Sequence, residues 1–258
     1  MYNDLFSELP INRREGKPRE KGITVIIDHG LGVHTQKDIL DASCDYIDIA
    51  KIMVGIPALL GDRVLRKKID LYHKNDILTF PGGQFLEWAY TKEKSKEYLT
   101  AVVKSGFKLV EVSDNIMDIS PSDKSNLVRI VSQEYGLKVL GETGSKKVSS
   151  STKALIKDIQ NCLESGAWKV MFEAAELFEN GIFKKDLIDE ISNEVNINKL
   201  IFELPGGWIS GITISHIYSL QVWLIEKLGN EVNIGNVDPG EVLCLEAERN
   251  NLGTHMKV

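Results

Sequence analysis

KVLGETGSKKVSSSTKALIKDIQNCLESGAWKVMFE (138–173) contains one full turn of the repeat that decides the fold. It opens with a short strand-like run, KVLGE (138–142), and continues through a polar loop. Residues 152–165 then place Leu155, Ile156, Ile159 and Leu163 on one helical face, Gly166 ends the helix, and WKVMFE (168–173) begins the next strand. The same order extends in both directions. Strands are predicted at ITVIID (23–28), YIDIAKI (46–52), ILTFP (77–81), KLVEVS (108–113), KLIFEL (199–204) and VNIGNV (232–237). Most are nearly continuous apolar runs, as parallel strands covered on both faces require. Helical spacing is read over 58–75, with Leu59, Leu65, Ile69 and Tyr72 on one face. It is read also over 92–105, with Tyr98, Leu99, Val102 and Val103 together, and over 123–135, 215–228 and 239–252. Gly106 and Gly136 stand where helices end before the next strand. Eight such units predict a single (β/α)8 TIM barrel over residues 21–258, with a doubly wound open sheet as the rival architecture. Residues 1–20 are polar and read as an N-terminal extension, an arm or a plug over the barrel's amino-terminal face.

Bulk properties narrow the function. Of the 258 residues, 43% are hydrophobic and 26% charged, the balance of a soluble globular domain. A formal charge of −6 leaves no basic field for nucleic acid, so a small anionic substrate is the expected partner. Cys44, Cys162 and Cys244 are widely spaced and form no CxxC, which reads as core thiols in a reducing compartment. No apolar run reaches the length of a membrane span, and a cytoplasmic location is expected.

The chemistry is suggested by acids at strand ends. Asp28, Glu142, Glu173 and Glu203 each close a strand-like run, and Glu111 and Asp114 fall at the end of the fourth. A buried carboxylate costs several kcal/mol, roughly, unless it is paired, hydrated or metal-bound. In a barrel the carboxyl ends of the strands form the working face, so these acids are candidate ligands for Mg2+, which takes few protein oxygens. His29, in the Asp28-His29-Gly30-Leu31-Gly32 turn, is a candidate acid/base or a plain loop residue. Lys51 lies inside an apolar run, where it needs either Asp48 as a partner or an anionic ligand. Pro81-Gly82-Gly83 offers backbone donors for a phosphate, with Glu87 one turn on either part of that site or ordinary helix surface. Ser113, Gly206, Gly207, Gly235 and Asn236 are further substrate-binding candidates in the loops after the strands. Lys146 and Lys147 follow Glu142 in a flexible basic loop. HExxH, Walker A, GxSxG and dinucleotide fingerprints are absent from the sequence. By residue type alone, the chain reads as performing metal-assisted chemistry on a small anion.

KPREKGITVIIDHGLG (17–32), DYIDIAKI (45–52), PGGQFLEWAY (81–90), KLVEVSDNIMDIS (108–120), KVLGETGSK (138–146) and QVWLIEKLGNEVNIGNV (221–237) together resemble the phosphosulfolactate synthase family. The resemblance implies a Mg2+-dependent barrel lyase that adds sulfite to phosphoenolpyruvate to give phosphosulfolactate, a step towards coenzyme M or sulfolactate. It also implies a homo-oligomer, and a proton donor in Lys146 or Lys147. Against the family pattern, His29 replaces a lysine, Ala175 an arginine, and Pro205-Gly206-Gly207-Trp208 a lysine-bearing segment. A divergent paralogue acting on another small acid, or a non-catalytic stress-associated homologue, remains the alternative at this point.

Overall fold

A computed structural model describes residues 4–11, 14–144, 150–179, 182–209 and 211–254. Eight parallel strands form the central sheet: β1 (Thr24–Asp28), β2 (Ile49–Ile52), β3 (Leu78–Pro81), β4 (Leu109–Val112), β5 (Lys138–Thr143), β6 (Lys169–Phe172), β7 (Leu200–Glu203) and β8 (Ile234–Val237). Their order is β3-β2-β1-β8-β7-β6-β5-β4. The two edge strands come together where the Lys108 N–H donates to the Thr79 carbonyl at 3.2 Å. The sheet is therefore a nearly closed (β/α)8 barrel, and the open doubly wound alternative is excluded.

Around it run α1 (Val33–Ser43), the short α2 (Ile56–Leu59), α3 (Asp62–His73), α4 (Gly83–Thr91), α5 (Ser95–Ser105), α6 (Pro121–Glu134), α7 (Thr152–Glu164), α8 (Lys185–Glu194), α9 (Ile214–Leu228) and α10 (Val242–Arg249). A small hairpin pairs Phe178–Glu179 with Ile182–Phe183 after β6. Side-chain oxygens of Ser120, Ser151 and Thr213 accept from backbone N–H groups in the first turns of α6, α7 and α9. Gly106 ends α5 at φ 97°, where a side chain is disfavoured. The helix predicted over 58–75 is two helices. Extended backbone at Leu60 and Gly61 breaks it, and Leu59 is left 85% exposed rather than on the buried face. Periodicity placed no helix at α1, α4 or α8. Two of the three buried residues of α1 (Gln36 and Ser43) are polar, and α4 is apolar on most sides, so neither shows a clean stripe.

Strand alternation sorts the residues into two cores. Val25, Ile49, Phe80, Leu109, Leu140, Met171 and Ile201 fill the barrel interior. Their neighbours Ile26, Ala50, Val110, Val139, Val170, Leu200 and Phe202 pack outward against the helices. Two positions beyond the interior layer, toward the strand carboxyl ends, come Lys51, Glu111, Glu142, Glu173 and Glu203. The polar ring is thus a direct consequence of a period of two.

At the opposite end, residues 14–22 lie across the barrel. Arg19 pairs with Asp48 at 2.9 Å, and the other Asp48 oxygen accepts from the Thr24 N–H at 2.9 Å. Asp48 is therefore not the partner of Lys51. Lys17 donates to the carbonyls of Cys44, Ile47 and Asn75. Lys169 donates to those of Glu20 and Asn198, both at 2.7 Å. Burial lowers the Lys169 pKa to about 8. Between about 8 and the ordinary 10.5 the unfolded chain holds the extra proton, so this residue makes stability rise with pH in that window. Lys169→Met should flatten that rise. Urea melts of both proteins at pH 7.5 and 9.5, roughly bracketing the folded value, would measure it.

Candidate active site

Three carboxylates from adjacent strands converge at the barrel mouth. Glu142, Glu173 and Glu203 each present an oxygen, and the three oxygens lie within 4.8 Å of one another with all three residues buried. They sit on β5, just after β6, and on β7, which are neighbours in the sheet. Glu142 also accepts from Asn115 Nδ2 at 2.7 Å, and Glu173 from the Ala175 N–H at 3.3 Å. Like charges this close, away from water, repel strongly unless a cation or proton intervenes. The all-oxygen donor set suits a hard divalent ion such as Mg2+.

Lys51 lies beside this trio. Its Nζ is 3.1 Å from both Glu111 and Glu203. Burial alone would lower its pKa, but the carboxylates of Glu111, Glu203 and Glu142 outweigh that effect and hold the ammonium charged. For Glu111, burial pushes the carboxyl up, to about 8, with Lys51 opposing the rise and Glu142 and Glu203 adding to it. Lys51, Glu111 and Glu142 open onto a cavity of about 270 Å³ lined also by Ile27, Gln84, Asn115, Trp208 and Asn236. Among the described residues, Lys51 is the only cation on its wall. Asn115 was not singled out from sequence. It is 9% exposed, its Oδ1 has no hydrogen-bond partner, and it touches a trio member, so it stands ready to contact a ligand.

Several expected roles are redirected. Asp28 faces the helix layer, because it shares the outward parity of Ile26. It pairs with Lys68 at 2.7 Å and accepts from Tyr72 Oη at 2.8 Å and from the Gly30 and Leu31 N–H groups. These partners hold it away from the trio. Asp114 likewise turns to Lys124 at 3.1 Å, which also binds Asp158 and the Glu142 carbonyl.

The donors of the Pro81-Gly82-Gly83 turn are not free for phosphate. Gly82 N–H donates to the Ile52 carbonyl and Gly83 N–H to Glu111 Oε2 at 2.7 Å. These glycines are required by packing. A Cβ on Gly83 would lie 2.4 Å from Ser113 Oγ and 2.9 Å from Glu111 Cγ. Gly83→Ala should therefore lower stability by about 1–3 kcal/mol, read as a fall in the thermal midpoint.

Glu87 is not helix surface but fully buried. It accepts from Ser113 Oγ at 2.5 Å and from the N–H groups of Ile116 and Met117. Ser113 is thus committed to Glu87, and the pair fixes the loop after β4 that carries Asn115. Gly235 makes room in the interior, since a Cβ there would meet Met171 at 3.0 Å and Ile201 at 3.2 Å. Gly206 lies under the Trp208 ring, and Gly207 is exposed. Asn236, at φ 58°, donates to the Leu204 carbonyl while its Oδ1 has no hydrogen-bond partner. His29 is exposed with its ring 6.4 Å from that of Trp208.

Lys146 and Lys147 lie outside the described residues. The chain enters their segment at Gly144, φ 103°, which packs against Glu173 and Glu176. It leaves at Ser150, whose N–H and hydroxyl both donate to the buried Glu176. Glu176 therefore holds Gly144 and Ser150, the described residues on either side of that segment, a role that no motif in the sequence signalled.

The chain is thus a parallel (β/α)8 barrel with an acidic cluster at the strand carboxyl ends. The fold matches solved structures of that kind, including 3-hexulose-6-phosphate synthase from Salmonella typhimurium. The TM-score is 0.54 at 15% identity, over 89% of this chain and 99% of that one. At the level of sequence, the family model described as (2R)-phospho-3-sulfolactate synthase (ComA) matches residues 12–254. The phosphosulfolactate synthases of Methanocaldococcus jannaschii and Methanothermobacter thermautotrophicus are 34% and 31% identical, covering 90% and 93% of this chain and 92% of each relative. The chain belongs to the phosphosulfolactate synthase family.

Proposed function

We propose that this protein is a Mg2+-dependent phosphosulfolactate synthase, adding sulfite to phosphoenolpyruvate. The observation that carries the reading is the convergence of Glu142, Glu173 and Glu203 within 4.8 Å at the mouth of a barrel of this family. With the Glu111 carboxyl raised to about 8, the trio still outnumbers Lys51 by two charges among the described groups (three carboxylates less one ammonium). Such a mouth repels a polyanionic substrate until a divalent cation enters. Glu142, Glu173 and Glu203 would hold that cation. When bound it supplies positive charge against the substrate carboxylate as electron density shifts toward C2.

In the reaction the sulfur lone pair of sulfite forms a bond to C3 of phosphoenolpyruvate. The C2=C3 π pair moves to C2, and a proton is added there, so no oxidant or reductant is needed. Lys51 is fixed by Glu111 and Glu203 and presents fixed positive charge to the mouth. Asn115 and Asn236 offer unmatched amide oxygens that orient hydrogen-bond donors. Lys146 or Lys147 delivers the proton to C2 from the segment between Gly144 and Ser150. The substrate is soluble and small, and no helix among the described residues is long and apolar enough to cross a membrane. Assembly as a homo-oligomer in the cytoplasm fits this role.

The test is a mass-resolved assay with phosphoenolpyruvate, sulfite and Mg2+. The expected product has the combined mass of phosphoenolpyruvate and bisulfite and is absent when sulfite is omitted. Folded protein that forms no such product would defeat the proposal.

A further inference from the structure

Beside the acidic mouth lies a second and larger cavity, of about 500 Å³, between the loops after β7 and β8 and helix α9. The two cavities meet at Ile27, Trp208 and Asn236, which line both. Phosphoenolpyruvate and sulfite are compact, and the reaction as described draws on the chamber only through Asn236, which lines both cavities. The second chamber is therefore unexplained by the reaction as described.

Its walls differ from those of the mouth. Ile212, Ile214 and Ile217 make much of the lining, and among the described residues no lysine or arginine faces it. The acidic groups present are Asp238 and Glu241, His29 stands at the rim beside Trp208, and the Tyr218 hydroxyl donates to Glu241 at 2.5 Å. An anionic ligand group is unwelcome against such a wall. One buried polar atom does call for a partner. Gln221 is 3% exposed, and its Nε2 donates to nothing. An unmatched buried donor costs free energy that an acceptor on a ligand would recover. A mainly apolar chamber with a small number of placed polar groups is the usual form of a small-molecule site.

We infer that mouth and chamber form one ligand space, and that the acid taken at the mouth carries an uncharged apolar extension ending in an oxygen that accepts from Gln221 Nε2. The inference rests on the reading of the mouth as an enolpyruvate-phosphate site and widens its substrate class to C3-substituted enolpyruvate phosphates. Atoms balance as in the parent reaction. Sulfur bonds to the substituted C3, the π pair passes to C2, and a proton ends on C2 by the same route as in the parent reaction, replaced from bisulfite or solvent.

The test is calorimetric titration, without sulfite, of the Mg2+-loaded full-length protein. The probes are phosphoenolpyruvate and an analogue bearing, on C3, a short alkyl chain with a terminal methyl ketone. The tailed probe should bind roughly tenfold tighter or better, because each buried methylene adds favourable transfer free energy. Ile217→Trp fills the chamber and should erase that advantage while phosphoenolpyruvate binds as before. Gln221→Met, a milder change, should reduce it severalfold. A tailed probe that binds no better than phosphoenolpyruvate overturns the inference, and measured phosphoenolpyruvate binding shows that the reading of the mouth survives. Tight binding of the tailed probe with no binding or turnover of phosphoenolpyruvate supports the chamber and overturns phosphoenolpyruvate as the substrate. Binding of neither probe overturns both.

Discussion

Replacing Glu173 with glutamine should remove turnover while making the metal-free protein more stable. Glu142, Glu173 and Glu203 bring carboxylate oxygens within 4.8 Å in a buried site, and Glu111 adds a fourth carboxyl group beside Lys51. Taking away one negative charge relieves repulsion that the folded state otherwise carries, worth about 1–2 kcal/mol on the scale of stability gains at functional sites. The same substitution removes a ligand oxygen and weakens Mg2+ binding. Activity should then fall by roughly two orders of magnitude or more, as when a preorganised charge-stabilising group is lost. Thermal melts in EDTA and steady-state assays in Mg2+ read the two effects separately. A variant that loses activity and stability together would indicate a structural carboxylate instead.

The second large effect is expected at Lys51. Its ammonium stands 3.1 Å from Glu111 and from Glu203, which are 0% and 1% exposed. Lys51→Met leaves two buried carboxylates facing each other with their shared cation gone. Breaking a buried ion pair from one side costs about 3–5 kcal/mol, far more than the pair contributes when intact. Urea titration should show that loss at neutral pH. Adding Mg2+ should recover part of it, because a second cation at Glu203 compensates for the missing first one. Loss that is unchanged by Mg2+ would mean that the ion does not reach Glu203.

The architecture was legible because both of its periods are simple. Apolar runs of strand length, each followed by a helix, admit few arrangements once there are eight of them; seven strands lie within the predicted runs and β5 extends one residue past its run, to Thr143. The acids at the ends of KVLGE, WKVMFE and KLIFE were legible as a set for a related reason. Each sits two residues beyond an interior apolar residue (Leu140, Met171 and Ile201), so parity carries all three to the same ring. Asp28 ends its run in the same way but has the opposite parity. ITVIID is apolar on both faces, so no pattern within it shows which face is inward, and only the fold reveals Lys68 and Tyr72 waiting in the helix layer.

What the sequence hid depends on contacts between distant elements. Lys51 meets Glu111 and Glu203 across 60 and 152 residues. Glu87 looked like helix surface until the loop after β4 folded over it. The glycines of the β3 turn resemble a phosphate cradle in sequence, yet the donors of Gly82 and Gly83 serve Ile52 and Glu111. Asn115 lies within KLVEVSDNIMDIS but no pattern there marks it, Glu176 sits in none of the quoted segments, and only proximity to the trio gives them a role.

The most direct test of the central claim is turnover of phosphoenolpyruvate with sulfite by protein stripped with EDTA and then titrated with Mg2+. The account predicts no turnover in the stripped protein and recovery that saturates as Mg2+ fills the Glu142, Glu173 and Glu203 site. Full turnover in EDTA, or none at saturating Mg2+ with the protein folded, would contradict it.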